Sequence, residues 1–176
     1  MNIPINNQHP LIRLLWCAIG AFVALFFALW VIKLSETPFL LASLGGSTIF
    51  LFGLTRVPAA QPRALLGGHV GGAFIGIACY QIFGDSILAY TTATALTLCF
   101  MLLTRTVHPP AGANPIIMIH AHSGWSILWE SVFLGVGCLF LTVLVWSRFY
   151  PGLVHYPVSS MEPSPPNLNW GGWQED

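Results

Sequence analysis

Two short runs in an otherwise apolar chain carry the residue types that could do chemistry. One is Leu44-Gly45-Gly46-Ser47-Thr48-Ile49, the other Arg105-Thr106-Val107-His108-Pro109-Pro110-Ala111-Gly112-Ala113-Asn114-Pro115. Glycine, proline, serine and asparagine interrupt a helical ladder, and inside a membrane the freed amides and carbonyls are tolerated only where protein or a watery cavity satisfies them. Amides freed at 45–48 and 112–114, at the N-termini of half-helices, would present weak positive ends without a fixed charge. Ser47, Thr48 and Asn114 would add neutral donors. A small oxyanion needs this chemistry: donors and positive potential, but not so strong that it cannot leave. The competing reading is two kinked helices whose small residues only allow close packing.

Arg63 and Arg105 fall at the ends of apolar stretches, where they either draw anions to a mouth or anchor the chain by the positive-inside rule. His108 has its backbone fixed by Pro109 and Pro110. Its imidazole titrates near neutrality, so it can pair with an anion, pass a proton, or cap the break by bonding a freed carbonyl. His69 lies inside another apolar stretch, where a polar side chain is a functional candidate by default. His120 and His122 are two apart and face different sides of a helix, so no metal site is expected from the histidines. The expected pathway is thus formed by Gly45, Gly46, Ser47 and Thr48 and by Gly112, Ala113, Asn114 and Pro115, with Arg63, His69, Arg105, His108, Pro109 and Pro110 around it.

The elements that must position these residues follow from composition. Of 176 residues, 55% are hydrophobic and 7% charged, with a mean hydropathy of +0.73. A soluble domain carries about 25% charged residues, and a disordered chain needs low hydrophobicity; both are excluded. Six Lys+Arg balance six Asp+Glu, which leaves no net charge to attract nucleic acid. The charges divide the chain into six uncharged stretches at 14–32, 37–55, 64–84, 86–104, 106–129 (the span itself about 109–129) and 131–147. Nineteen helical residues rise about 28 Å, close to the hydrocarbon thickness of about 30 Å. The expected fold is all-α: a polytopic helical domain over 1–150 in the lipid bilayer, then a proline-rich cytoplasmic tail over 151–176, extended and poorly ordered.

With six passes and a cytoplasmic N-terminus, Arg13, Arg56, Arg63, Arg105 and Arg148 all fall inside and only Lys33 outside, a stronger bias than four spans with re-entrant second and fifth stretches would give. Both termini are then cytoplasmic, with a bacterial inner membrane as the expected location. Three spans followed by three place the second half upside down. The two interrupted runs then occupy matching spots, and Gly68 in the third stretch corresponds to Gly135 in the sixth. Paired interruptions in inverted halves point to a substrate site near the midplane. Gly68, Gly72 and Gly76 repeat every four residues along one face, where another backbone can approach closely. Cys17, Cys79, Cys99 and Cys138 read as free thiols packing as small hydrophobes. No HExxH, GxSxG, intramembrane Asp pair or Walker motif is present, so neither an enzyme nor a cofactor is expected.

His108-Pro109-Pro110 followed by Ala111-Gly112-Ala113 just past a span resembles the signature of the HPP family of integral membrane proteins. Residues 38–53 are similar to its Gly-Ala-Ser segment, with Gly46 where alanine is usual. Ala60-Gln61-Pro62-Arg63 followed by Gly67-Gly68-His69 is similar to its loop and third span. Asn114-Pro115 replaces the more usual threonine or serine run. The resemblance covers roughly 10–150 and implies a small-anion permease, because family members are described as transporters and those of plastids and cyanobacteria are associated with nitrite. Two other classes stay open: a cation or metal-ion carrier using His69, His108 and His120, and a non-transporting scaffold using the glycine faces and the tail. Six short spans enclose little space, so a homo-oligomer is expected.

Overall fold

The computed structural model describes residues 10–32, 41–150, 152–168 and 170–171. Lys33, Glu36, the start of the 38–53 segment and Trp173 lie outside them. The described residues form an all-helical bundle: α1 (Pro10–Ile32), α2 (Leu41–Thr48) running into a π-helix (Ile49–Gly53), α3 (Pro62–Phe83), α4 (Ile87–Thr104), a 3-10 helix (Pro109–Ala113) leading into α5 (Asn114–His120), and a π-helix (Leu128–Phe133) leading into α6 (Leu134–Trp146). Four helices are long and apolar enough to cross a membrane: Pro10–Ile32, Pro62–Phe83, Ile87–Thr104 and Leu128–Trp146. The protein is therefore an integral membrane protein in which the second and fifth passes are short.

Those two passes nevertheless run from one end of the bundle to the other. At the end where Trp16 of α1 stacks on Trp146 of α6, Arg63 opens α3, donates to the carbonyl of Thr104 and so ties in the end of α4. At the opposite end Asp85, in the α3–α4 turn, meets His122 beyond α5 at 2.9 Å. The His122 imidazole holds the Asp85 carboxyl below the usual carboxylate range, with Tyr90 adding a second hydrogen bond. Leu44 near the start of α2 packs on Gly135, while Phe52 at the end of its π-helix packs on Gly20, which Trp146 also meets. The chain thus alternates direction through six passes. Arg63, Arg105 and Arg148 gather at one end and Asp85 lies at the other.

Packing explains which helix is central. α1 buries only Gly20, Ala24, Ala28 and Ile32, one residue per turn, and leaves Leu15, Phe22, Phe26 and Trp30 on its outer side. An apolar helix exposed around most of its circumference suits lipid. α3 buries Gly68, His69, Gly71, Gly72, Ala73, Gly76 and Ile77 and sits between α4 and the fifth pass. Ser86 caps α4 by accepting from the Ala89 amide, and Arg105 ends it in the left-handed conformation at φ 55°. α1 lies on α6 much as α4 lies on α3. Gly135 of the sixth pass abuts the second pass at Leu44 as Gly68 of the third abuts the fifth at His108 and Ala111, the pairing that inverted halves would give.

The tail departs from the expected extended, poorly ordered segment, because 152–168 packs on the arginine end of the bundle. Its backbone polar groups find partners there. Ser164 and Val107 exchange bonds around a bridge to Thr106, Val158 and Ser159 donate to buried Gln61 Oε1, and the Tyr156 hydroxyl donates to the Ala60 carbonyl at 2.9 Å. Among the cysteines, Cys79 and Cys138 are buried as expected, but Cys99 is exposed on α4.

Candidate functional site

The two short passes meet against α3, and the contact is built from small residues. A Cβ on Gly46 would lie 3.0 Å from Pro110 Cβ, one on Gly68 3.0 Å from His108 Cβ, and one on Gly72 2.9 Å from the Ala111 carbonyl. A Cβ on Gly76 would come within 2.5 Å of Pro115 Cα. The glycine face of α3 is therefore the seat of the whole 108–115 segment, and close approach of two backbones is what a stripe of missing side chains permits.

At this junction four polar side chains form one buried network. Ser47 Oγ, from α2, lies 2.8 Å from Nε2 of His69 and 2.8 Å from Nε2 of His108, with the Ser43 carbonyl at 2.9 Å. His108 Nδ1 is 2.6 Å from the Ala59 carbonyl. The Asn114 amide donates to the His69 carbonyl at 2.9 Å and lies 3.1 Å from His69 Nδ1. Ser47, His69, His108 and Asn114 are each at most 1% exposed. The ring of Phe50 meets His108 edge-on.

The partners assign the protons. A carbonyl only accepts, so neutral His108 carries its proton on Nδ1 and offers a lone pair at Nε2. Both Asn114 amide hydrogens point at His69, so His69 Nδ1 accepts and its Nε2–H donates to Ser47 Oγ. One directed chain results: Asn114 amide to His69, His69 to Ser47, Ser47 to His108, His108 to Ala59. Among the described residues, Asn114 Oδ1 and, across Gly72, Thr97 Oγ1 are buried polar atoms without a partner.

Several expected site residues behave differently. Gly45 to Thr48 are helical residues of α2, so their amides serve the helix and the second pass widens into a π-helix only after them. Thr48 Oγ1 donates to the Gly45 carbonyl. In the fifth pass, 3-10 turns use the Ala111 amide on His108 and the Asn114 amide on Ala111. The site's donors are thus side chains rather than freed amides. Gly45 and Gly112 face open space, Pro109 is exposed, and Ala113 is half-buried. Arg63 binds the carbonyls of Thr104 and Met161, and Arg105 those of Pro165 and Pro166, so both arginines hold helix end and tail rather than an open mouth. His120 is exposed on α5, away from His69 and His108, and among the described residues no three metal-ligating side chains gather.

Composition and spacing missed Ala59, Ser43 and Gln61. Ala59 and Ser43 contribute only carbonyls, which every residue has. Gln61 is fully buried and binds Thr55, Val57, Val158 and Ser159. Its one visible signal was a polar residue just before the Pro62 that starts α3.

The bundle and its buried polar centre define a polytopic α-helical membrane protein with two short passes facing one another. The transmembrane-region model of the HPP family matches residues 6–157, so the chain belongs to that family. It is 31% identical over 122 residues to one transmembrane protein of Dictyostelium discoideum, covering 65% of this chain and 39% of that protein. A second from the same organism is 30% identical over 118 residues, covering 62% of this chain and 41% of its own length. The chain thus spans about two fifths of the relatives' length. No solved structure matches it.

Proposed function

We propose that the protein is a permease for a small inorganic anion, with nitrite as the first candidate, and that the anion passes the junction of Ser47, His69, His108 and Asn114. One observation carries this reading: the two short passes meet at a buried cluster of uncharged hydrogen-bonding side chains, and no carboxylate of the described residues joins it. An alkali or alkaline-earth cation site in a membrane interior needs acids or several converging carbonyls, and among the described residues no third metal-ligating side chain joins the two imidazoles. A neutral cluster containing two imidazoles and a hydroxyl can instead exchange one of these internal hydrogen bonds for one to an oxyanion and still release it. The grouping of arginines at one end supports termini on the cytoplasmic side of the membrane, which we take to be a bacterial inner membrane, and the family resemblance supports nitrite.

The test is flux into liposomes holding a pH-sensitive dye, with nitrite, formate, nitrate and chloride added in turn and protein-free liposomes as the control. Protein-dependent, selective nitrite movement that His108→Ala reduces at least tenfold is the expected result. Folded protein that moves no anion above the control would sink the reading.

A further inference from the structure

The Ser47 hydroxyl has one hydrogen and two acceptors within reach, His108 Nε2 at 2.8 Å and the Ser43 carbonyl at 2.9 Å. Its remaining close partner, His69 Nε2, already donates to it, because the Asn114 amide occupies His69 Nδ1. His108 Nδ1 is committed to Ala59 at 2.6 Å. The network therefore has two complete arrangements. With His108 neutral, Ser47 donates to its Nε2. With a proton added at Nε2, His108 donates to both Ser47 and Ala59, and the Ser47 hydrogen turns to Ser43. Neither arrangement leaves a ring nitrogen or the hydroxyl unpaired, so the site takes up one proton by rotating one O–H bond.

From this geometry we propose that the Ser47–His69–His108 cluster is a proton-binding site, with His108 Nε2 as the position that gains the proton, and that the anion crosses together with that proton. The second half rests on the permease reading. Its physical reason is charge. A lone imidazolium or a lone anion in this closed interior is a buried unpaired charge, whereas one of each is neutral. One proton binds at His108 as one anion enters and leaves as the anion leaves, so no net charge crosses.

Among the described residues, the surroundings leave that proton without a competing counter-ion. From α3 the cluster meets His69, and Arg63 lies further toward the end of the helix on Thr104 and Met161. The end of α4 supplies Arg105, which is bound to tail carbonyls. Tyr156 reaches the adjacent Ala60, and Glu162 follows Met161 in the irregular tail. α2 and its π-helix contribute Ser47 and Phe50 and no charged group.

Two measurements on the full chain decide the matter separately. The first is nitrogen-15 NMR of histidine-labelled protein in lipid nanodiscs, titrated from about pH 8 to about pH 5, with His69→Gln and His108→Gln variants to assign the rings. The expected result is opposite tautomers at high pH, Nε2–H on His69 and Nδ1–H on His108, and a second proton on His108 Nε2 at low pH when nitrite is present. Two rings of the same tautomer, or a His108 that stays neutral throughout, would overturn the site. The second is nitrite uptake with simultaneous proton measurement and a potassium potential imposed by valinomycin. One proton per nitrite, insensitive to the potential and lowered at least tenfold by Ser47→Ala, is expected. Nitrite movement that follows the potential without protons would overturn the coupling and leave the permease standing. Protein that moves no anion would remove the permease reading and the coupling, and the NMR result would still decide the proton site.

Discussion

The second and fifth passes meet the same problem, a polar interruption inside a short apolar crossing, and solve it in opposite ways. The second contains Gly45-Gly46-Ser47-Thr48, and its ladder continues through all four residues before loosening into the π-helix at Ile49–Gly53. It brings one side chain, Ser47, to the centre. The fifth contains Pro109, Pro110 and Pro115, which have no N–H to give, and the chain must turn through a 3-10 helix before α5 starts. That turn brings two side chains, His108 and Asn114, and lays its backbone on α3. Glycine permits a break without requiring one. Proline requires it, and this is why two runs of similar appearance differ in structure.

The seat of the fifth pass is where a single substitution should do the most damage. Gly76→Leu would drive a side chain into the backbone at Pro115. Overpacking against a backbone that cannot yield is expected to cost about 3 kcal/mol or more. Loss of the monodisperse peak on size-exclusion chromatography in detergent is the readout, and a variant as heat-stable as the parent would contradict the seat.

Next in size is the link between the passes. Ser47→Ala removes the group on which both Nε2 atoms converge, and buried polar groups left without partners cost about 2 kcal/mol. A lowered thermal midpoint is expected, with Ser47→Cys intermediate because a thiol is a weaker partner. If Ser47→Ala matched the parent in stability, the second pass would not be tied to the fifth through this hydroxyl.

A third prediction concerns the loop that follows the second pass and receives the His108 proton at Ala59. Tyr156 is fully buried and donates to Ala60, and burial pushes its phenol above the ordinary tyrosine range. The folded chain then holds this proton where the unfolded chain would lose it. Stability is accordingly unaffected below about pH 10 and falls as pH rises past it. Tyr156→Phe should lower stability by about 1 kcal/mol near neutrality and flatten that alkaline decline. An unchanged alkaline profile in the variant would place the titration elsewhere.

The smallest expected effects sharpen the contrast. Gly45 and Gly112 lie in the two runs but face open space, so Gly45→Ala and Gly112→Ala should be neutral or stabilising by roughly 0.5 kcal/mol through the unfolded chain. Gly46→Ala instead meets Pro110 and should be the less stable neighbour of Gly45→Ala. Equal midpoints for the two substitutions at 45 and 46 would mean the passes do not touch there.

Much of this protein was determined by the sequence alone. The spacing of the few charges implies six apolar segments, because no soluble core could bury so much apolar surface with so few charges. Gly68, Gly72 and Gly76 imply a face for close backbone contact, and His108-Pro109-Pro110 marks the family. Tertiary structure alone decided the rest. That Ser47, 61 positions before His108, supplies the hydroxyl joining both imidazoles depends on two passes folding against one face of α3. Composition could not foresee that Arg63 and Arg105 are taken by carbonyls of the tail, or that Gln61 ties that tail down. Hydropathy and helix breaking act between neighbours in the chain and are legible there, whereas a hydrogen-bond network depends on which distant atoms come within about 3 Å, and that is settled only when the passes pack.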